Sequence, residues 1–169
     1  MAIIVEDGTG LVDAEAYASV AFADAYHAAM GATTWADLST SAKEIALRKA
    51  TQHLDSAYLY IAEKKTTTQR LEWPRVYDPY YYAYTFSYQT AAIAWPIRCI
   101  QEACCELALK ASTTALVSDE TQAIKLEKIG PITVEYEQGG NPQTIYALVD
   151  NLLRQVTRGG RNTIRIERV

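Results

Sequence analysis

The chain has 169 residues, 49% of them hydrophobic and 21% charged, which excludes a wholly disordered polypeptide and suits one globular domain. Its formal charge of -4 and pI near 5.2 exclude a protein that wraps nucleic acid with its whole surface, while leaving room for a local basic patch. At this size folding buries about 70% of the surface of the unfolded chain, so a core is possible without disulfides or metals.

Ile3, Ile4 and Val5 followed by Gly8-Thr9-Gly10 read as a short strand and a turn. Ser19 is placed to cap a helix with an apolar stripe of Ala21, Phe22, Ala25, Tyr26 and Ala29, stopped by Gly31. Ser41 and Glu44 have capping-box spacing, and Ala46, Ala50, Leu54, Ala57, Tyr58 and Ile61 continue one face for about twenty residues. Pro74 and Pro79 then break the chain, opening a loop at 76–94 in which Tyr77, Tyr80, Tyr81, Tyr82, Tyr84 and Tyr88 are half of the twelve tyrosines. Pro96 fits the first turn of a third helix, whose stripe is Ile97, Ile100, Cys104, Leu107 and Ala111. Alternation around Gly130-Pro131 predicts a β-hairpin over 124–137. Ile145, Leu148, Val149, Leu152, Leu153 and Val156 form a fourth amphipathic helix, closed by Gly159-Gly160. The tail from Thr163 to Arg168 alternates again, as a strand that adds to a sheet edge would. The predicted fold is mainly α with small β: a four-helix-type bundle over 1–157 with a β-hairpin, extended strands at both ends, and a docking arm at 158–169.

Charge is polarised along this chain. Residues 1–42 hold Glu6, Asp7, Asp13, Glu15, Asp24 and Asp37 with no Lys or Arg, whereas 154–169 hold five arginines against Glu167. Opposite ends of this kind can pair within one fold or head to tail between copies.

Catalytic signatures are missing. The two histidines, His27 and His53, sit on helices among alanines and tyrosines, and no HExxH, nucleophile elbow, phosphate-cradling loop or dinucleotide fingerprint occurs. Gly8 and Gly10 read as turn residues, and Glu6-Asp7 and Asp119-Glu120 as solvated loop pairs. Cys99, Cys104 and Cys105 are odd in number and diverge on a helix, so they read as small core residues rather than disulfides or ligands. No enzyme, metal or cofactor is expected. The N-terminus has no basic n-region, and no apolar run approaches the ~20 residues a membrane helix needs, so neither leader nor membrane contact is expected.

Two segments remain for binding. Bases stack on tyrosines at about 1–3 kcal/mol each, but no Lys or Arg lies between Arg75 and Arg98, so the loop tyrosines suit a protein contact better than a single strand. Arg154, Arg158 and Arg161 could complement the dipole of the last helix, and the five arginines could hold phosphates. The alternation of Ile164 and Ile166 with Arg165, in a tail that also carries Arg158, Arg161 and Arg168, fits a strand that docks in an acidic groove on another protein better than a nucleic-acid arm.

Residues 4–30, Leu71-Glu72-Trp73-Pro74-Arg75, the helix from Pro96-Ile97 to Leu109, the block Glu127 to Tyr136, and Tyr146 to Leu153 together resemble tailed-phage head-tail connector (adaptor) proteins. Many of those relatives carry the label DnaT-like single-stranded DNA-binding protein. The chain departs from the pattern at Phe22, where an acid is usual, and in its long aromatic segment. The resemblance implies a virion structural protein of the neck, made in the bacterial cytoplasm, that forms a homo-oligomeric ring of about twelve copies. Such a ring sits between the portal above and a tail or tail-completion protein below, and genomic DNA passes through its lumen. The alternative is a replication-type protein that binds single-stranded DNA with the Tyr-rich loop and the Arg-rich tail.

Overall fold

Ser19 sets the start of the first helix. In the computed structural model, which describes residues 2–76, 97–117, 126–129, 132–135 and 146–158, its hydroxyl accepts the Phe22 N–H at 3.1 Å. Helix α1 then runs Val20–Ala29 and stops at Gly31, whose φ of +71° favours a residue without Cβ. A four-residue helix, α2 (Thr33–Ala36), follows where no periodicity announced one. It brings Trp35 onto His27, with ring centroids 4.6 Å apart, and Trp35 Nε1 donates to Asp24 at 2.7 Å.

Helix α3 (Thr40–Ala57) is capped by Ser39, which accepts from Ala42 N at 3.3 Å, two residues earlier than the predicted Ser41 box. It also ends before the predicted Tyr58 and Ile61. Tyr58 is extended (φ -118°, ψ 138°) because the chain beyond it pairs with the end of the molecule: Ile61 N donates to Val156 O at 3.0 Å and Arg158 N to Leu59 O at 2.7 Å. Ordered hydrogen bonds to a distant segment replace the last helical turn.

Helices α4 (Arg98–Ala111) and α5 (Ala147–Leu153) bring the helices among the described residues to five, and α4 packs on α1, α3 and α5. The predicted fourth helix is shorter than its apolar run, since Arg154 to Val156 form a turn and Ile145 lies outside the described residues. The α3–α4 seam joins Leu47, Ala50 and Leu54 to Ile100, Cys104, Leu107 and Ala108, all fully buried. Small residues let the helices approach closely, with Thr51 Oγ1 3.5 Å from Cys104 Sγ. Each buried Leu or Ile contributes about 1.5–3 kcal/mol. Cys104 and Cys105 are core residues as expected, and burial pushes the Cys104 thiol up to about 11, far from a reactive thiolate.

Among the described residues the strands are short and pair antiparallel. Strand β1 (Glu63–Lys64) pairs with β2 (Arg75–Val76), a ribbon the sequence pattern did not announce. Strands β3 (Leu126–Ile129) and β4 (Ile132–Glu135) form the predicted hairpin, with Ile129 opposite Ile132. The predicted N-terminal strand is reduced to one parallel bridge, Val5 to Ala16.

The Glu6–Leu11 loop corrects the reading of Glu6 as a solvated turn residue. Its side chain is 2% exposed, and its carboxylate accepts the N–H groups of Gly8, Gly10 and Leu11 at 2.9, 2.9 and 3.0 Å. Gly10 has a φ of +88°, and a Cβ there would stand 2.9 Å from Thr66 Oγ1. Gly31→Ala, which meets no atom within 4 Å, is expected to cost about 1 kcal/mol from backbone strain alone. Gly10→Ala adds the steric conflict and is expected to cost at least about 2 kcal/mol. Urea titration of the two variants checks the ordering.

Candidate functional site

Of the docking and loop-contact residues that the sequence singled out, Arg158 alone is among those described. Tyr77, Tyr80, Tyr81, Tyr82, Tyr84 and Tyr88 lie outside the described residues, as do Arg161, Ile164, Arg165, Ile166 and Arg168. Arg158 is described: it is exposed, and its backbone is tied to Leu59. The acidic N-terminal region is largely engaged within its own fold. Glu6 organises its loop, Asp7 accepts from Thr9 N at 2.9 Å, Glu15 pairs with Arg48, and Asp24 pairs with Lys43 at 2.9 Å.

The Leu71–Arg75 block, one of the most distinctive in the sequence, does structural work. Leu71 and Trp73 are buried, Trp73 meets the Tyr60 ring edge-on at 5.7 Å, and the Trp73–Pro74 bond that follows is cis. Arg75 donates to the carbonyls of Ala62 (2.7 Å), Glu72 (3.0 Å) and Tyr60 (3.3 Å), and pairs with the Glu72 carboxylate. Glu72 also takes Lys64 at 2.9 Å. Although burial would raise the Glu72 pKa, the hydrogen bonds and charges of Lys64 and Arg75 hold it below the ordinary value.

Asp55 joins this block to α3. Tyr17 Oη donates to Asp55 Oδ1, Glu72 N donates to Oδ2 at 3.3 Å, and Trp73 N donates to Tyr17 Oη at 3.1 Å. Burial pushes the Asp55 carboxyl up from 3.8 to about 6, against the lowering effect of the two hydrogen bonds it accepts. The Tyr17 phenol is driven well above its usual range, first by burial and then by the Asp55 charge.

Beside Asp55 opens a cleft of about 580 Å3. One wall is α3, through Arg48, Thr51, Gln52, Asp55 and Ser56; Glu15, Arg70 and Leu71 form the other. Arg48 is held by Glu15, its Nε and Nη2 donating to one carboxylate oxygen at 3.1 and 2.9 Å, and these bonds lower the Glu15 pKa. Arg70 is exposed, with its backbone N–H fixed to Leu11 O at 3.1 Å and no carboxylate paired with its guanidinium among the described residues. Lys43, Arg48, Lys64, Arg75 and Arg98, by contrast, are all ion-paired.

The cleft was not legible from the sequence. Asp55 stands one residue from Leu54 on an apolar stripe, a weak signal of burial, and Arg70 arrives from a loop with no local spacing to link it to α3. Both histidines are buried: His27 Nε2 donates to Cys105 O at 3.1 Å and burial lowers the His27 pKa, while His53 meets the Tyr146 ring edge-on at 5.5 Å. Among the described residues no group of His, Cys, Asp and Glu could hold a metal ion, and no helix is long and apolar enough to cross a membrane.

A model of the family described as "Putative DnaT-like ssDNA binding protein" matches residues 1–169. No curated protein and no solved structure matches the chain.

Proposed function

Because the chain belongs to this DnaT-like family over its whole length, we propose that it binds single-stranded DNA in a non-catalytic role. Family membership is the observation that carries this reading. It is supported by Arg70, a cation without a carboxylate partner among the described residues, poised over a polar cleft. The tyrosines of the 76–94 loop and the arginines from Arg158 to Arg168 supply further stacking and phosphate contacts.

A second reading is the head-tail connector: a ring subunit joining portal and tail, through whose lumen DNA passes. The pairing of Lys43, Arg48, Lys64, Arg75 and Arg98 with carboxylates favours it, because a conduit must not grip its DNA and these cations already have anionic partners within the chain. Arg158, Arg161, Ile164, Arg165, Ile166 and Arg168 are then the docking residues.

Fluorescence anisotropy with a labelled single strand of about twenty nucleotides separates the two. Strand binding is expected to weaken with salt, log K falling by about 0.7 per phosphate contact for each tenfold rise in concentration. No binding at low salt, together with near-equal copy numbers of this chain and the portal in purified phage particles, would replace the first reading with the second.

A further inference from the structure

The charges of the α3 cleft are ordered rather than merely balanced. Arg48 is neutralised by Glu15 at 2.9 Å and Glu44 at 3.8 Å, whereas Arg70 feels the Glu15 charge only at longer range and forms no ion pair among the described residues, so its guanidinium is the anion-seeking group on one wall. Asp55 retains acceptor lone pairs beyond those used by Tyr17 and Glu72. The Ser56 hydroxyl donates to His53 O at 3.2 Å and so offers its lone pairs. The exposed Gln52 amide makes no hydrogen bond among the described residues and carries both donors and acceptors. No aromatic side chain lines the cleft, so a ligand there is recognised by its edge and charge, not by stacking.

We propose that this cleft seats one nucleotide of a single strand, its phosphate on Arg70 and the exocyclic amine of its base against Asp55 and Ser56. The proposal rests on the strand-binding reading and adds to it a location and a base preference. A volume near 580 Å3 falls in the ~300–1,000 Å3 range of small-ligand sites. A phosphate near Asp55 is repelled, and an amine near Arg70 meets another donor, so the charges fix the orientation of the nucleotide. Cytosine offers an amino group where thymine offers a carbonyl oxygen, and a site built of acceptors rejects the latter.

The test is anisotropy at low salt with labelled oligo-dC and oligo-dT, on the full chain and on Arg70→Ala, Gln52→Ala and Asp55→Asn, with helical content checked by circular dichroism. The wild type is expected to bind oligo-dC about 5–10-fold more tightly than oligo-dT. Arg70→Ala is expected to weaken both about tenfold. Gln52→Ala is expected to weaken oligo-dC a few fold, and Asp55→Asn to bring the two oligonucleotides within about twofold. Gln52 and Arg70 are exposed, so losses there do not arise from misfolding. Wild-type binding that none of the three variants changes overturns the cleft while leaving the strand-binding reading intact. Equal binding of oligo-dC and oligo-dT by the wild type overturns the assigned base contact. Absence of wild-type binding overturns the strand-binding reading, and the cleft with it.

Discussion

Glu6→Ala is expected to destabilise the protein by about 3–5 kcal/mol, a large share of the total for a domain of this size. The carboxylate organises the 6–11 loop by accepting three N–H groups. Removing it strands those donors in a setting where the parent side chain is 2% exposed. Each stranded donor costs about 1–3 kcal/mol, reduced where water enters the space left behind. Glu6→Gln keeps one carbonyl oxygen but turns an amide toward a backbone N–H, and is expected to cost about 2 kcal/mol. Both values are read from urea midpoints at neutral pH. An alanine variant within about 1 kcal/mol of wild type would show that the loop holds its shape without the carboxylate.

Asp55→Asn is expected to flatten the stability of the protein between pH 4 and 6.5. The folded-state pKa of Asp55, about 6, lies above the 3.8 of an ordinary carboxyl. Its contribution is therefore fully present below pH ~4, where the group is protonated in both states, and is lost as pH rises through about 6. The shift corresponds to at most ~3 kcal/mol. Asparagine carries no charge to desolvate and still offers an oxygen to Glu72 N, but its amide then faces Tyr17 Oη, whose O–H loses its acceptor at a cost of about 1–3 kcal/mol. At pH 7.5 the two effects oppose each other, and the variant is expected to lie within about 2 kcal/mol of wild type. Asp24 and Glu72 shift the other way: burial opposes it, but their hydrogen bonds to Lys43 and Lys64 keep both pKa values below the ordinary ones. Their stabilisation is present above pH ~4 and lost in acid in both proteins, so the difference between the two curves reports Asp55 together with its electrostatic coupling to Glu72. Parallel curves from pH 4 to 7 would mean that Asp55 is not desolvated in the folded state.

Much of the helical framework could be read from local pattern. Ser19 as a cap, the α3 and α4 stripes and the 126–135 hairpin depend on neighbours a few residues away, where periodicity and capping chemistry act. What escaped was decided at a distance. Tyr58 leaves the helix because Val156 and Arg158 offer backbone partners to residues 59–61, and Glu6 is buried because its own loop closes around it. Asp55, Tyr17 and Trp73 meet from three separated segments, so no spacing rule joins them. For the same reason the candidate cleft emerged only in three dimensions, while the tyrosine and arginine segments stood out by composition alone.

The stitch between residues 59–61 and 156–158 also matters for how the protein is made. As the chain leaves the ribosome, the Leu59–Ile61 backbone emerges roughly a hundred residues ahead of its partner, a delay on the order of ten seconds at ordinary elongation rates. During that interval α3 can fold, but the backbone groups of residues 59–61 stay unpaired and Leu59, 77% exposed even in the finished molecule, stands among them. Nascent chains crowded on one message therefore present one another with an adhesive edge that the completed protein has closed.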